Sequence, residues 1–250
     1  MANSKGMISM LSAWGITDKG AVRQQNQDAF QFIVREDGGA GVVCDGMGGA
    51  RAGNVASSMA VETFCEVLTR EEDRWNSDPR SVLAEAAEQA NGVVFAKAGA
   101  DSDCHGMGTT LVSVLLCGEH AYILNIGDSR AYHISRDGIS RITRDHSVVE
   151  DLVSRGELTP EQARLHPQKN LITRALGAEE QVKADLYEMP VTPGEFLLLC
   201  TDGLSNTVTD QEILYEAVHG GAPEGCCSRL LDISLTRGAP DNVTVVLFQI

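Results

Sequence analysis

Apolar positions follow two different periods along this chain. Residues 29–34 and 40–44 are apolar runs separated by Glu36-Asp37-Gly38-Gly39, which predicts strand, turn and strand. Past a glycine cluster the spacing changes. Val55, Ala56, Met59, Ala60, Phe64, Val67 and Leu68 recur at helical intervals, and Asp78-Pro79 opens a second helix carrying Val82, Leu83, Ala86, Ala87, Ala90, Val93 and Val94 on one side. Residues 109–117, 120–126 and 130–134 are strand-like runs joined by Cys117-Gly118-Glu119 and Gly127-Asp128-Ser129, and Arg136-Asp137-Gly138 turns into 139–143. Connections this short force antiparallel pairing, because a parallel crossover takes a dozen or more residues. A doubly wound nucleotide-binding sheet is thereby excluded.

Ser147-x-x-Glu150 and Thr159-x-x-Gln162 each fit a capping box, so two helices follow. A buried-type strand is expected at 196–200, helices from Thr209-x-x-Glu212 and over 224–236, and a closing strand at 243–250. Helices in pairs around a large antiparallel core make a layered α+β domain. Residues 1–11 and 70–80 read as tail and loop, leaving one domain over 12–250.

Composition narrows the functional classes. The 250 residues carry 20 Lys+Arg against 35 Asp+Glu, a net charge of −15, which disfavours a phosphate-backbone partner and so any general nucleic-acid role. No apolar run approaches the ~20 residues of a membrane span. The first ten residues, MANSKGMISM, lack the apolar core of an export signal. Seven cysteines, an odd number with no C-x-x-C pair, read as reduced thiols, so a cytoplasmic protein is expected.

The chemistry lies in where the aspartates stand. Val42-Val43-Cys44 leads into Asp45-Gly46, Leu124-Asn125-Ile126-Gly127 into Asp128, and Leu197-Leu198-Leu199-Cys200-Thr201 into Asp202-Gly203; Asp28 and Asp241 stand just before apolar runs. Any one of them alone reads as a turn former or cap. Five carboxylates fixed to the ends of rigid elements are another matter, because brought together they repel unless protons or cations neutralise them. Oxygen-only ligands favour Mg²⁺ or Mn²⁺ over Zn²⁺, and a glycine after Asp45 lets the Gly46 carbonyl approach an ion. Arg23, five residues before Asp28, is either a phosphate clamp or a plain aspartate partner.

These residues fall in eight ordered segments: Arg23-x-x-Asn26-Gln27-Asp28, Val43-Cys44-Asp45-Gly46-Met47-Gly48-Gly49, Gly108-Thr109-Thr110, Asn125-Ile126-Gly127-Asp128-Ser129-Arg130, Thr143-Arg144-Asp145-His146-Ser147, Ile172-Thr173-Arg174-Ala175-Leu176-Gly177, Cys200-Thr201-Asp202-Gly203-Leu204 and Asp241-Asn242-Val243-Thr244. In this set the chain resembles the metal-dependent serine/threonine protein phosphatases of the 2C type, most closely their compact bacterial members. The resemblance implies a four-layer αββα sandwich, two central antiparallel sheets flanked by helices.

It implies site roles too. Asp45 would bridge two Mn²⁺ or Mg²⁺ ions, Asp202 and Asp241 would complete the first ion's shell, and the Gly46 carbonyl would bind the second. Asp28 would reach the second through water, and Asp128 with Asp202 would form a third site. Arg23 would hold the substrate phosphate while a metal-bridging hydroxide attacks phosphorus. Asp45, Asp202 and Arg23 are thus the catalytic residues, and Ser129 and the cysteines need no catalytic role.

Two departures from the family pattern stand out. Met47 occupies the place where many eukaryotic members carry a proton-donating histidine, and Gln27 replaces an acidic residue. His146 is a tempting substitute acid, although its position between strand and capping box suits a structural histidine better. Residues 145–177 would form a mobile flap, its charges (Glu150, Asp151, Arg155, Glu157, Glu161, Arg164, Lys169) either selecting substrates or merely solvating a helical face. The partners implied are phosphorylated proteins, including a Ser/Thr kinase, with the enzyme monomeric. A catalytically silent member of the fold and a phosphohydrolase of small phosphoesters are the competing readings.

Overall fold

The computed structural model describes residues 11–49 and 52–250. The tail expected over 1–11 lies outside these residues but for Leu11, which packs at the edge of a core. The chain opens with strands β1 (Ser12–Asp18), β2 (Asp28–Val34) and β3 (Gly38–Met47), then helices α1 (Ala52–Arg70) and α2 (Pro79–Ala100). A two-residue strand β4 (Gly108–Thr109) precedes the meander β5 (Leu111–Cys117), β6 (His120–Ile126), β7 (Arg130–Ser135) and β8 (Gly138–Arg141). Short helices α3 (Val148–Ser154) and α4 (Pro160–Arg164) follow, then β9 (Asp185–Pro190) and β10 (Phe196–Cys200). The fold closes with α5 (Asp202–Ser205), α6 (Asp210–Val218), α7 (Cys226–Thr236) and β11 (Val243–Gln249).

One sheet runs β1-β11-β10-β7-β8 and the other β2-β3-β5-β6-β9, with β4 added on β3. Every pairing is antiparallel. Three apolar cores fill the three spaces between four layers. Helices α1 and α2 cover the second sheet around Phe64, Leu83, Val42 and Leu115, while α6 and α7 cover the first around Ile213, Leu230, Leu198 and Val245. Between the sheets lie Val43, Val112, Val114, Ile123, Leu197, Leu199, Val246 and Phe248.

Strand sequence dictates this division. Successive side chains of a strand point to opposite faces. On β10, Phe196, Leu198 and Cys200 face the helices while Leu197 and Leu199 face the opposite sheet. On β5, Leu111 and Leu115 face helices and Val112 and Val114 the other sheet. Both faces being buried, these strands read as continuous apolar runs and not as alternating ones. The expected αββα sandwich is the observed architecture.

Capping also follows sequence. Thr159 and Thr209 form full capping boxes with Gln162 and Glu212. The 70–80 segment is a loop with one 3₁₀ turn, but it is anchored: Trp75 is buried and its indole N–H donates to the Leu68 carbonyl at 2.9 Å. Strands β1 and β9 lie where the pattern predicts none. The burial of β1 is mostly intermediate, and Asp185, Tyr187 and Glu188 break the apolar run of β9.

Close approach of the two sheets depends on Gly41. A Cβ there would lie 2.6 Å from the Phe248 ring of the facing sheet. Gly41→Val should therefore overpack the central layer and lower unfolding free energy by about 1–3 kcal/mol in urea titration. An unchanged midpoint would show that the inter-sheet space is looser than this packing requires.

Candidate metal centre

Backbone pairing brings the first two carboxylates together. Asp28 of β2 stands directly opposite Asp45 of β3 in the antiparallel register. The backbone at Asp45 is fully engaged: its N–H donates to the Thr110 hydroxyl at 2.9 Å, and its carbonyl accepts from the Thr109 hydroxyl and the Thr110 N–H, both at 2.9 Å. The Thr110 hydroxyl in turn lies 2.7 Å from that of Ser129, beside Asp128. Next in β3, the Gly46 N–H donates to the Gln27 carbonyl at 3.0 Å, and any Cβ at Gly46 would sit 2.0 Å from the Gly53 carbonyl oxygen. Only glycine lets α1 start this close to the strand.

The other carboxylates arrive from the first sheet and its loops. Asp202 is the first residue of α5, immediately after β10, and Asp128 sits in the β6–β7 turn. Asp241 lies in the loop before β11. A cleft of about 220 Å³ at this end of the sandwich is lined by Arg23, Asp45, Gly46, Asp128, Asp202 and Asp241, with Met47 among its other walls. Asp28 is brought to the cluster but does not line the cleft; it is buried, with one carboxylate oxygen accepting from the Thr201 and Thr244 hydroxyls at 2.9 and 2.7 Å.

Electrostatics makes this cluster costly as it stands. Burial pushes Asp28 up to about 7 despite the two hydroxyl donors, with Asp202 and Asp241 adding repulsion. Asp128 is pushed to about 8 by burial and then by Asp202 and Asp145. Burial and the charges of Asp28, Asp202, Asp128 and Asp241 hold Asp45 well above the usual carboxylate range, and Asp202 is raised by burial and by Asp241. Arg130 brings a guanidinium near, but Asp145 clasps it through contacts of 2.7–3.2 Å.

Two buried oxygens, Oδ1 of Asp28 and Oδ1 of Asp202, have no hydrogen-bond partner among the described residues. Orphaned carboxylate oxygens facing other carboxylates are what a hard dication would satisfy, and the all-oxygen donor set fits Mg²⁺ or Mn²⁺. No three His, Cys, Asp or Glu side chains among the described residues stand in finished ligating geometry. An ion and its waters would therefore have to draw these groups together.

Arg23 pairs with a carboxylate here: its Nη2 donates to Asp241 Oδ2 at 2.8 Å, with about half of the side chain exposed. His146 is structural. It is buried, its Nδ1 accepts from the Gly127 N–H at 3.1 Å, its Nε2 lies 3.2 Å from Asp185, and burial lowers its pKa. It does not line the cleft. All seven cysteines are buried, and burial raises Cys44 far up and Cys200 to about 12, so both are inert thiols.

Asn242, Thr201 and Thr244 stand in the motif segments, but sequence reasoning gave them no role. The Asn242 amide donates to the Lys19 and Gln25 carbonyls at 2.9 and 3.0 Å, and its oxygen accepts from the Gln27 N–H at 2.8 Å, tying the Arg23–Asp28 loop to Asp241. The signal was proximity in sequence: Thr201 and Asn242 directly flank Asp202 and Asp241, and Thr244 lies inside the buried apolar run that follows Asp241, where an unbonded polar group is expensive.

Over residues 19–220 the sequence matches the family described as Protein phosphatase 2C. It is 36% identical over 246 residues to the serine/threonine phosphatase stp of Listeria innocua, covering 93% of each chain. The crystal structure of the Mycobacterium tuberculosis serine/threonine phosphatase PstP/Ppp is 35% identical and superposes with a TM-score of 0.88 over 96% of this chain and 98% of that one. A PstP catalytic domain in complex with two manganese ions gives 33% identity and a TM-score of 0.85, over 96% and 97%.

Mutual repulsion within the cluster gives a prediction in which the mutant is the more stable protein. In EDTA, Asp45→Asn should raise Tm by about 2–4 °C for each kcal/mol of repulsion relieved. Saturating Mn²⁺ should raise the wild-type Tm by roughly 5–10 °C at a hundredfold excess over Kd, and Asp45→Asn should lose most of that gain. Differential scanning fluorimetry with and without Mn²⁺ reads both; a wild-type Tm indifferent to Mn²⁺ would remove the case for a cation site.

Proposed function

Because the chain belongs to the protein phosphatase 2C family, a metal-dependent class, we infer that its carboxylate cleft removes phosphate from phosphoserine and phosphothreonine in proteins. It is an enzyme of the bacterial serine/threonine phosphatase class. The observation that carries the chemistry is the cleft lined by Asp45, Asp128, Asp202 and Asp241, with Arg23 on its wall.

Asp45, Asp202 and Asp241 would hold one ion, Asp45 with the Gly46 carbonyl a second, and Asp128 with Asp202 a third. Asp28, beneath the cleft, would act on the second through water. Bound dications supply a water acidic enough to ionise near neutral pH, and positive charge opposite the phosphoryl oxygens. The chain's own part is to position and to neutralise. The Arg23 guanidinium, held in place by Asp241, is half exposed, and an arriving phosphate competes with Asp241 for its donors. Asn242 fixes the loop bearing Arg23, so that competition takes place against a rigid backbone. Met47 offers no proton to the leaving group, which leaves that proton to water in the cleft.

The five cluster carboxylates are all present, which speaks against a catalytically silent member of the fold. Either Mn²⁺ or Mg²⁺ suits the donors, and the second and third sites would each have two direct protein groups against three for the first. A Ser/Thr kinase among the substrates, a cytoplasmic location and a monomeric enzyme complete the reading. Among the described residues no helix is long and apolar enough to cross a membrane.

Hydrolysis of p-nitrophenyl phosphate should require millimolar Mn²⁺ and vanish in excess EDTA. Arg23→Ala should lower kcat/KM by roughly 10–100-fold while leaving the Mn²⁺-induced rise in Tm in place. Steady-state kinetics paired with thermal scans checks both, and undiminished turnover in EDTA would overturn the proposal.

A further inference from the structure

A second depression adjoins the carboxylate cleft. Met47 and Ile172 line both, and beyond them a groove of about 440 Å³ continues along Ala178 and Val182, with Glu179 and Lys183 also lining it. Its lining mixes apolar side chains with polar ones, and its charges include both signs, Glu179 against Arg174 and Lys183. This contrasts with the cleft, whose walls carry four carboxylates and one guanidinium.

The groove is also built to hold its shape. The buried amide of Asn91, on α2, uses both of its ends on this loop: its nitrogen donates to the Glu179 and Glu180 carbonyls at 3.1 and 3.0 Å, and its oxygen accepts from the Gly177 N–H at 2.8 Å. Leu176 and Thr109 exchange backbone hydrogen bonds at 2.8 and 3.1 Å, joining the same loop to β4. Gly177 has φ of +81°, a conformation glycine adopts without strain. An exposed loop receives three bonds from one buried side chain, and the result is a preformed wall, which lowers the ordering cost of binding.

A phosphoserine in a protein brings its neighbours along. An extended chain advances ~3.3–3.6 Å per residue, so side chains two positions apart lie about 7 Å apart on one face. With the phosphoryl group in the cleft beside Arg23, flanking residues on one side can pass over Met47, two positions beyond Asp45 on β3 and shared by both depressions. Small phosphoesters have nothing to place there.

We propose that the Met47–Ile172–Ala178–Val182 groove is a substrate subsite that takes an apolar side chain lying within three residues of the phosphorylated serine or threonine of a protein substrate. It extends the phosphatase reading and rests on it. Recognition is chiefly by apolar burial, and Met47, unbranched and adaptable, lets side chains of different shape fit.

The test uses phosphoserine peptides of equal charge in which a single Leu or Asn is stepped through the three positions on each side, assayed with Mn²⁺ beside p-nitrophenyl phosphate. Leu at one or two positions on one side only should raise kcat/KM about tenfold over Asn, mainly through KM. Ala178→Asp alters an exposed residue and so spares the core; it should erase that preference and lower the peptide-to-aryl ratio of kcat/KM about tenfold. A flat Leu/Asn profile, a preference that survives Ala178→Asp, or an equal loss on peptide and aryl substrate would each overturn the subsite. Absence of turnover on every substrate, p-nitrophenyl phosphate included, would instead overturn the phosphatase reading and this one with it.

Discussion

The molecule is organised around a repulsion. Asp28, Asp45, Asp128, Asp202 and Asp241 meet at one end of the sandwich, where burial and one another's charge lift most of them out of the usual carboxylate range. Among the described residues the fold neutralises them only in part: Arg130 lowers Asp128 and Asp202 but is clasped by Asp145, and Arg23 pairs with Asp241 alone. Such an arrangement persists because the surrounding layers are stable enough to hold it, and its cost would be offset by the cations proposed to bind there. On the proposed reading, stability and chemistry are opposed in the bare protein and would be aligned once the site is filled.

Four layers supply the needed rigidity. Each central strand is buried on both faces, so a carboxylate at a strand end inherits a backbone fixed by packing above and below. Hydroxyls and amides then finish the positioning. Thr109 and Thr110 hold the Asp45 backbone, Thr201 and Thr244 clasp Asp28 across the two sheets, and Asn242 joins the Arg23 loop to the β11 loop. These polar bonds are local and short, and they link the two halves of the site only after the sheets have stacked.

What could be read from sequence divides along the same line. The layered antiparallel α+β domain and the carboxylate set were legible because apolar runs and the aspartates at their ends are one-dimensional signals; the four-layer αββα arrangement came from the resemblance carried by the eight motif segments. Strands β1 and β9 were not, since their mixed polarity reflects positions at the outer edges of the sheets. The burial of Asp28 outside the cleft lining was not legible, nor was the identity of Asp241 as the aspartate partner that the sequence allowed for Arg23. Both depend on cross-sheet distances that no spacing in the sequence encodes. His146 was weighed as a proton donor, and only the bond from the Gly127 N–H shows its ring committed to the backbone.

The pairing of β1 with β11 joins residues more than two hundred positions apart. β11 lies between β1 and β10, and the loop that leads into it carries Asp241 and Asn242. During synthesis the first strand thus waits for the last, and the sheet has a gap until residues 243–249 emerge from the ribosome. A nascent chain can complete the helical pair and the inner meander early, yet it has no assembled catalytic cleft. The cleft thus rests on a contact of very high sequence separation, of the kind that forms slowly, and a chain lacking residues 241–249 would lack both Asp241 and the strand that joins β1 to β10.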